Sequence, residues 1–89
     1  MKLRCAVVGH GGIGKVHTRI AAKYGELCAV CDVDGSRLES FDASIRYTDY
    51  EKMLDAVRPD VVHICTPHYL HADMVIAALE RGINVLCEK

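Results

Sequence analysis

Glycines at positions 9, 11 and 14 follow directly on the apolar run Cys5-Ala-Val-Val8. A stretch follows in which Ile13, Val16, Ile20, Ala21 and Tyr24 recur at helical spacing. A short apolar run stopped by glycine and succeeded at once by a 3.6-residue period reads as strand, tight turn and helix. The G-x-G-x-x-G spacing gives each glycine a task. The first permits the turn, the second lets backbone approach a phosphate, and the third packs helix on strand. The helix N-terminus would offer unpaired N–H groups and the positive end of its dipole to an anion. Gly9, His10, Gly11, Gly12, Ile13 and Gly14 are therefore the expected cradle of a pyrophosphate. Asp32, 18 residues beyond Gly14, is spaced as a ribose-binding acid would be.

A competing pattern overlaps this one. Residues 9–15 also read G-x-x-x-x-G-K, the start of an NTPase phosphate loop, which continues with a Ser or Thr that ligates magnesium. Position 16 is Val16, which has no oxygen, so the dinucleotide reading is preferred. Asp32 would accept hydrogen bonds from both hydroxyls of an adenosine ribose, and its charge would repel a 2′-phosphate. NAD is thus expected over NADP. Ser36 and Arg37 stand close enough in sequence to offer contacts to a phosphate and temper that expectation.

The 89 residues are enough for one domain, and 51% of them are hydrophobic, which suits a buried parallel sheet. The net charge of −1, the single Phe and the absence of Trp give no basic or aromatic surface for nucleic acid or an anionic membrane. No apolar run approaches the length of a membrane span, and the N-terminus leads into the first strand without the pattern of a signal peptide. Cys5, Cys28, Cys31, Cys65 and Cys87 each fall in or beside a strand-like run, as small buried hydrophobes do. Cys28 and Cys31 have C-x-x-C spacing, but residues i and i+3 of an extended strand point to opposite faces, against a shared metal or a disulfide. Reduced thiols imply the cytoplasm.

Taken in order, residues 3–8 read as a strand and 13–24 as a helix with Gly25 as its C′ residue. Residues 27–31 are a second strand ending at Asp32, 36–41 a short helical turn, and 45–47 a brief third strand. Thr48 with Glu51 three residues on forms a capping box for a helix bearing Met53, Leu54 and Val57, stopped by Pro59. Residues 61–65 are a fourth strand and 70–81 a helix with Leu70, Met74, Val75, Ala78 and Leu79 as its apolar stripe, ended by Gly82. Residues 84–87 are a fifth strand. Alternating strands and helices imply right-handed β-α-β units. The expectation is an α/β, doubly wound Rossmann-type parallel sheet of order 3-2-1-4-5, incomplete at its C-terminal end. Ligands bind such sheets at the carboxyl ends of the strands, at the switch point. Gly9, Asp32, Thr66 and Glu88 all stand at those ends.

Thr66-Pro67-His68 follows the fourth strand, and Pro67 would stiffen a loop beneath a nicotinamide. His68 and His71 have the chemistry of ligands or acids but also stand where polar residues begin helices. His63 reads as a satisfied interior histidine and His17 as a locally packed one. No pair among the five histidines has metal-ligand spacing, so no metal is expected. Lys89 ends the chain after Glu88, where an amine could hydrogen-bond a substrate hydroxyl or carbonyl and assist proton transfer.

Together these residues resemble the Gfo/Idh/MocA oxidoreductase family. The resemblance rests on Gly9-His-Gly-Gly-Ile-Gly-Lys-Val-His17, Cys31-Asp-Val-Asp34, Tyr47-Thr-Asp-Tyr50, Ile64-Cys-Thr-Pro-His68 with His71, and Val85-Leu-Cys-Glu-Lys89, in order along nearly the whole chain. It implies an NAD(P)-dependent dehydrogenase of sugars, cyclitols or related hydroxy compounds. It assigns the glycine loop to Gly9, Gly11 and Gly14, the ribose acid to Asp32 and the substrate-contacting lysine to Lys89. It also implies a second α/β domain that supplies further catalytic groups and homo-oligomer contacts and is not in these 89 residues. Residues 1–89 are thus expected to be a cofactor half-site, inactive alone. A dinucleotide-binding sensor without catalysis is the alternative of the same fold.

Overall fold

The computed structural model describes residues 3–87. Five parallel strands, β1 (Arg4–Val8), β2 (Glu26–Cys31), β3 (Arg46–Tyr47), β4 (Val61–Ile64) and β5 (Asn84–Cys87), pair in the order β3-β2-β1-β4-β5. This is the Rossmann-type order expected from the sequence. Helix α1 (Gly12–Tyr24) crosses between β1 and β2 on one face of the sheet. Helices α2 (Tyr50–Val57) and α3 (His71–Glu80) cover the other. The chain order reverses beside β1, between β1 and β4, and their carboxyl ends meet there.

Alternation along the strands divides the core. Ala6, Val8, Ala29, Cys31, Val62 and Ile64 pack with Met53, Leu54 and Ala78 beneath α2 and α3, while Cys5 and Val7 pack with Ala21 of α1. The β1–β2 register shifts between Cys5 and Ala6: Cys5 pairs with Leu27 but Ala6 with Ala29, which leaves Cys28 as an extra residue. The bulge lets Leu27 pack on the α1 side while Ala29 and Cys31 pack on the other. The Cys28 thiol donates to the carbonyl oxygen of Cys5 at 3.2 Å, whereas Cys31 is in the opposite cluster.

Several local expectations need correction. Among the described residues of α1 the buried ones are Gly14, Thr18 and Ala21, whereas Val16, Ile20 and Tyr24, read from the sequence as part of its apolar stripe, are exposed. The close approach of Gly14 to the backbone of Gly9 turns the side of α1 that carries Gly14 and Thr18 toward the sheet. Gly25 is not a left-handed C′ residue. It ends α1 in an extended conformation, with its N–H on the Ala21 carbonyl. The cap of α2 is Asp49, not Thr48: its Oδ1 accepts the Lys52 N–H at 3.1 Å, and a carboxylate also suits the helix dipole better than a hydroxyl. The short turn is a 3-10 helix over Gly35–Leu38, and a second one, Ala43–Ile45, takes the start of the expected third strand. The last helix begins at His71 after a 3-10 turn His68–Leu70, and Leu79 of its expected stripe is exposed. Gly82 does stop it: the Ile83 N–H reaches back to the Ala78 carbonyl at 3.0 Å.

Arg81 fastens the two helices of one face. Its Nε donates to Asp55 Oδ1 at 2.7 Å, one terminal nitrogen to Glu51 Oε1 at 3.1 Å and the other to the Ala77 carbonyl at 2.8 Å. Among the described residues no helix is long and apolar enough to cross a membrane.

Candidate dinucleotide site

The site begins where β1 turns into α1. Gly9 has φ +90°, and a Cβ on it would lie 2.7 Å from the carbonyl carbon of Cys65, so both conformation and space demand glycine there. Its N–H donates to the Cys31 carbonyl at 2.8 Å, and the Cys65 N–H donates to the Val8 carbonyl at 2.8 Å. The turn is therefore clamped between β2 and β4. A Cβ on Gly14 would overlap the Gly9 carbonyl oxygen. Gly11 differs: nothing lies within 4 Å of where its Cβ would stand. It is the N-cap of α1, and among the described residues no side chain caps that helix and no acid lies in its first turn. The first-turn N–H groups are left to an outside anion.

Asp32 lies immediately past β2 and is 6% exposed. Its Oδ2 accepts the His10 N–H and its Oδ1 the Asp34 N–H, each at 2.8 Å. A carboxylate has about four lone-pair sites, so roughly half of its accepting capacity remains for hydroxyls. Arg37 sits between two acids, 3.7 Å from Asp32 Oδ2 and 3.7 Å from Asp34 Oδ2. Asp34 accepts both the hydroxyl of Ser36 at 2.6 Å and its N–H at 3.1 Å, and these bonds hold its carboxyl below the usual range. Ser36 is thereby turned toward Asp34.

The His10 ring is buried at 2% exposure, edge-on to Phe41 with centroids 5.2 Å apart, beside the Thr18 hydroxyl. Burial pushes this imidazole below its ordinary range. Its backbone N–H is committed to Asp32, so His10 braces the cradle from within.

A cleft of about 500 Å³ opens over the strand ends, lined by Gly9, Gly11, Asp32, Thr66 and Pro67 among others. These five residues, separated by up to 58 positions, thus share one surface. Val33 and Tyr69, 91% and 81% exposed, also line the cleft and offer apolar surface for a flat ring. Neither was singled out from the sequence; an apolar residue just past the ribose acid was the available signal for Val33. The Thr66 hydroxyl donates to the Met74 sulfur at 3.2 Å, and its carbonyl accepts from His71 Nε2 at 2.7 Å. His68 begins the 3-10 turn that follows. Glu88 and Lys89 lie outside the described residues.

The other histidines stand away from this cleft. His63 is buried on the α1 face of β4, its Nδ1 2.9 Å from Nδ1 of His17, with the rings edge to face. Burial first, then the charge of His17, holds His63 below the ordinary imidazole range. No group of three or more metal-ligating side chains occurs among the described residues.

Comparison with known proteins places these features in a wider set. Residues 3–89 match the GFO_IDH_MocA family model, described as an oxidoreductase family with an NAD-binding Rossmann fold. The chain is 39% identical over 95 residues to D-glucoside 3-dehydrogenase of Escherichia coli, covering 98% of this chain and 27% of that protein. Its structure is similar to that of myo-inositol 2-dehydrogenase from Lactobacillus plantarum, with a TM-score of 0.91 and 33% identity over all of this chain and 28% of that one. It is also similar to scyllo-inositol dehydrogenase from Lactobacillus casei, solved with bound NAD(H) and scyllo-inositol, with a TM-score of 0.90 and 25% identity over 100% and 28% of the two chains. The chain thus spans less than a third of the length of these relatives.

Proposed function

The chain belongs to this oxidoreductase family with its NAD-binding Rossmann fold, and from that premise we propose that it is the cofactor-holding part of a dehydrogenase acting on a sugar, cyclitol or related polyol. The observation that carries the reading is the open space over Gly11 beside Asp32, at the carboxyl ends of β1 and β2. The residues fit the cofactor. The turn from Gly9 to Gly14 and the first-turn N–H groups of α1 hold the pyrophosphate, and Asp32 accepts from the adenosine ribose. Val33 and Tyr69 would flank the adenine and Thr66 and Pro67 would lie toward the nicotinamide, with His68 and Glu88 as further cofactor contacts.

Asp32 favours NAD over NADP. A 2′-phosphate would meet a buried carboxylate whose oxygens already accept two backbone N–H groups. Arg37, the nearest cation, is shared between Asp32 and Asp34. The bound nicotinamide supplies the redox chemistry by taking or giving a hydride. The chain's own part is to fix that ring by its phosphates and ribose. Lys89 then contacts the substrate oxygen and assists its proton transfer. A second domain outside these 89 residues shapes the substrate pocket, supplies the remaining acid–base groups and joins the subunits of a homo-oligomer.

Calorimetric titration of the chain tests the cofactor assignment. NADH is expected to bind more tightly than NADPH, and equal or reversed affinities would refute the role given to Asp32. Steady-state assays test the catalytic assignment. The 89-residue chain should show no turnover of polyols, and in the longer protein Lys89→Ala should lower kcat while leaving NADH affinity nearly unchanged.

A further inference from the structure

At the carboxyl end of β5 a thiol and an imidazole form a pair that the cofactor site does not use. His71, the first residue of α3, is buried, and its Nε2 lies 2.7 Å from the carbonyl oxygen of Thr66. A carbonyl oxygen only accepts, so Nε2 carries the hydrogen. In the neutral ring Nδ1 is then the bare nitrogen. It faces Cys87 Sγ at 2.9 Å. The carbonyl therefore fixes the tautomer in which the imidazole can take the thiol proton. When it does, the Nε2 donor stays on Thr66 and Nδ1–H points back at the sulfur. The proton crosses without any side chain turning.

The setting of Cys87 differs from that of the other cysteines. Cys5 and Cys31 are buried, and Cys28 and Cys65 are half-buried. Burial raises the Cys5 and Cys28 thiols above their ordinary value, and the Cys31 thiol to about 12, so their nucleophilic forms are suppressed. Cys87 alone among them is exposed, and it has a base within hydrogen-bond reach.

The geometry points to Cys87 as a peroxide-reactive thiol, with His71 as the base that activates it. The sulfur attacks one oxygen of hydrogen peroxide. An S–O bond forms as the O–O bond breaks, sulfur is oxidised by two electrons, and the peroxide oxygens are reduced. The thiol proton passes to His71 Nδ1 and from there to the departing hydroxide, which leaves as water, and the product is a sulfenic acid. The oxidised sulfur no longer has the S–H that joined it to His71, so the tie between β5 and the Thr66 end of the cleft is altered. The inference needs no bound nucleotide and stands apart from the cofactor assignment.

The test treats the 89-residue chain with hydrogen peroxide at pH 6.5 in the presence of dimedone, followed by peptide mapping by mass spectrometry. Cys87 should be trapped ahead of the other four cysteines. It should also react roughly three- to tenfold faster in the folded chain than in the same chain unfolded in guanidinium, because only the folded chain holds the His71 base against the sulfur. His71→Gln, which keeps an N–H for Thr66 but has no base, should erase that advantage. A folded-chain rate at Cys87 no higher than the unfolded one, or an advantage that persists in a folded His71→Gln variant, would overturn the inference. If circular dichroism shows that His71→Gln does not fold, the folded-to-unfolded comparison of the unaltered chain decides alone.

Discussion

The backbone N–H of His10 donates to Oδ2 of Asp32 at 2.8 Å, across 22 residues of sequence. The glycine turn and Asp32 are therefore one construction: the carboxylate proposed to choose the cofactor also holds the turn proposed to carry its phosphates. Losing it should act on both.

Asp32→Ser leaves two backbone N–H groups without their acceptor, one of them the His10 N–H at a buried residue. It should lower stability by about 2 kcal/mol, read from urea denaturation. In the fraction that remains folded, the ratio of NADH to NADPH affinity should move toward one. A variant that kept full stability would mean that the Asp32 hydrogen bonds contribute nothing net.

The glycines of the turn should separate cleanly in their effects. Gly14→Ala forces a Cβ onto the Gly9 carbonyl, and backbone on both sides must yield. A loss of at least about 2 kcal/mol is expected. Gly11→Val meets nothing in the protein, and Gly11 has φ −74°, which any residue adopts. Its stability cost should stay under about 1 kcal/mol, the scale of an altered helix cap, yet NADH binding should vanish. Thermal melts paired with calorimetry would show the two patterns.

Arg81→Ala should unfasten α2 from α3. Asp55 and Glu51 are exposed, so solvent screening keeps the loss of stability small. The difference from the unaltered chain should shrink in 1 M salt, roughly ten times the concentration at which the screening length is about 10 Å. Urea midpoints at two salt concentrations measure it.

The chain should lose stability on mild acidification. His63 and His10 both titrate below the ordinary imidazole value in the folded chain, chiefly because burial disfavours their charged forms. Between those lowered values and the unfolded value of about 6.5 the unfolded chain binds more protons, so stability rises with pH there. It is fully present above about pH 6.5 and falls as pH drops below it. His63→Leu should flatten the fall, as seen in urea midpoints at pH 7.5 and 5.5. An equal slope in the variant would assign the effect elsewhere.

The sheet order and the glycine turn were legible because both rest on local signals, the alternation of periods and the spacing of three glycines. The convergence of Gly9, Asp32 and Thr66 followed from placing each at a strand end. What escaped the sequence depends on distances between elements. The glycine spacing marks Gly14 as a packing position, but the apolar pattern of α1 points to Val16 and Ile20 rather than to Thr18, which goes inside. Thr48 and Asp49 are both capping residues one position apart, and only the path of the chain into α2 selects the second. The Cys28 bulge breaks the two-residue alternation from which faces are read. His71 looked like one more polar residue at a helix start, because its partners Thr66 and Cys87 come together only once β4 and β5 pair.

Among the described residues, those that α1 buries are all small, and that bears on how the molecule opens. Among the described residues, that helix buries Gly14, Thr18 and Ala21 and sets His17 against His63 of β4, while α2 and α3 bury Met53, Leu54 and Ala78 and are bolted together by Arg81. Cooperative units with few buried apolar atoms exchange their amide hydrogens first. In deuterium exchange the α1 amides should label early and those of β4 late. Because the turn proposed to bind phosphate is the first stretch of that unit, a bound dinucleotide would act as a latch on it, and its presence would be read as protection spreading down α1.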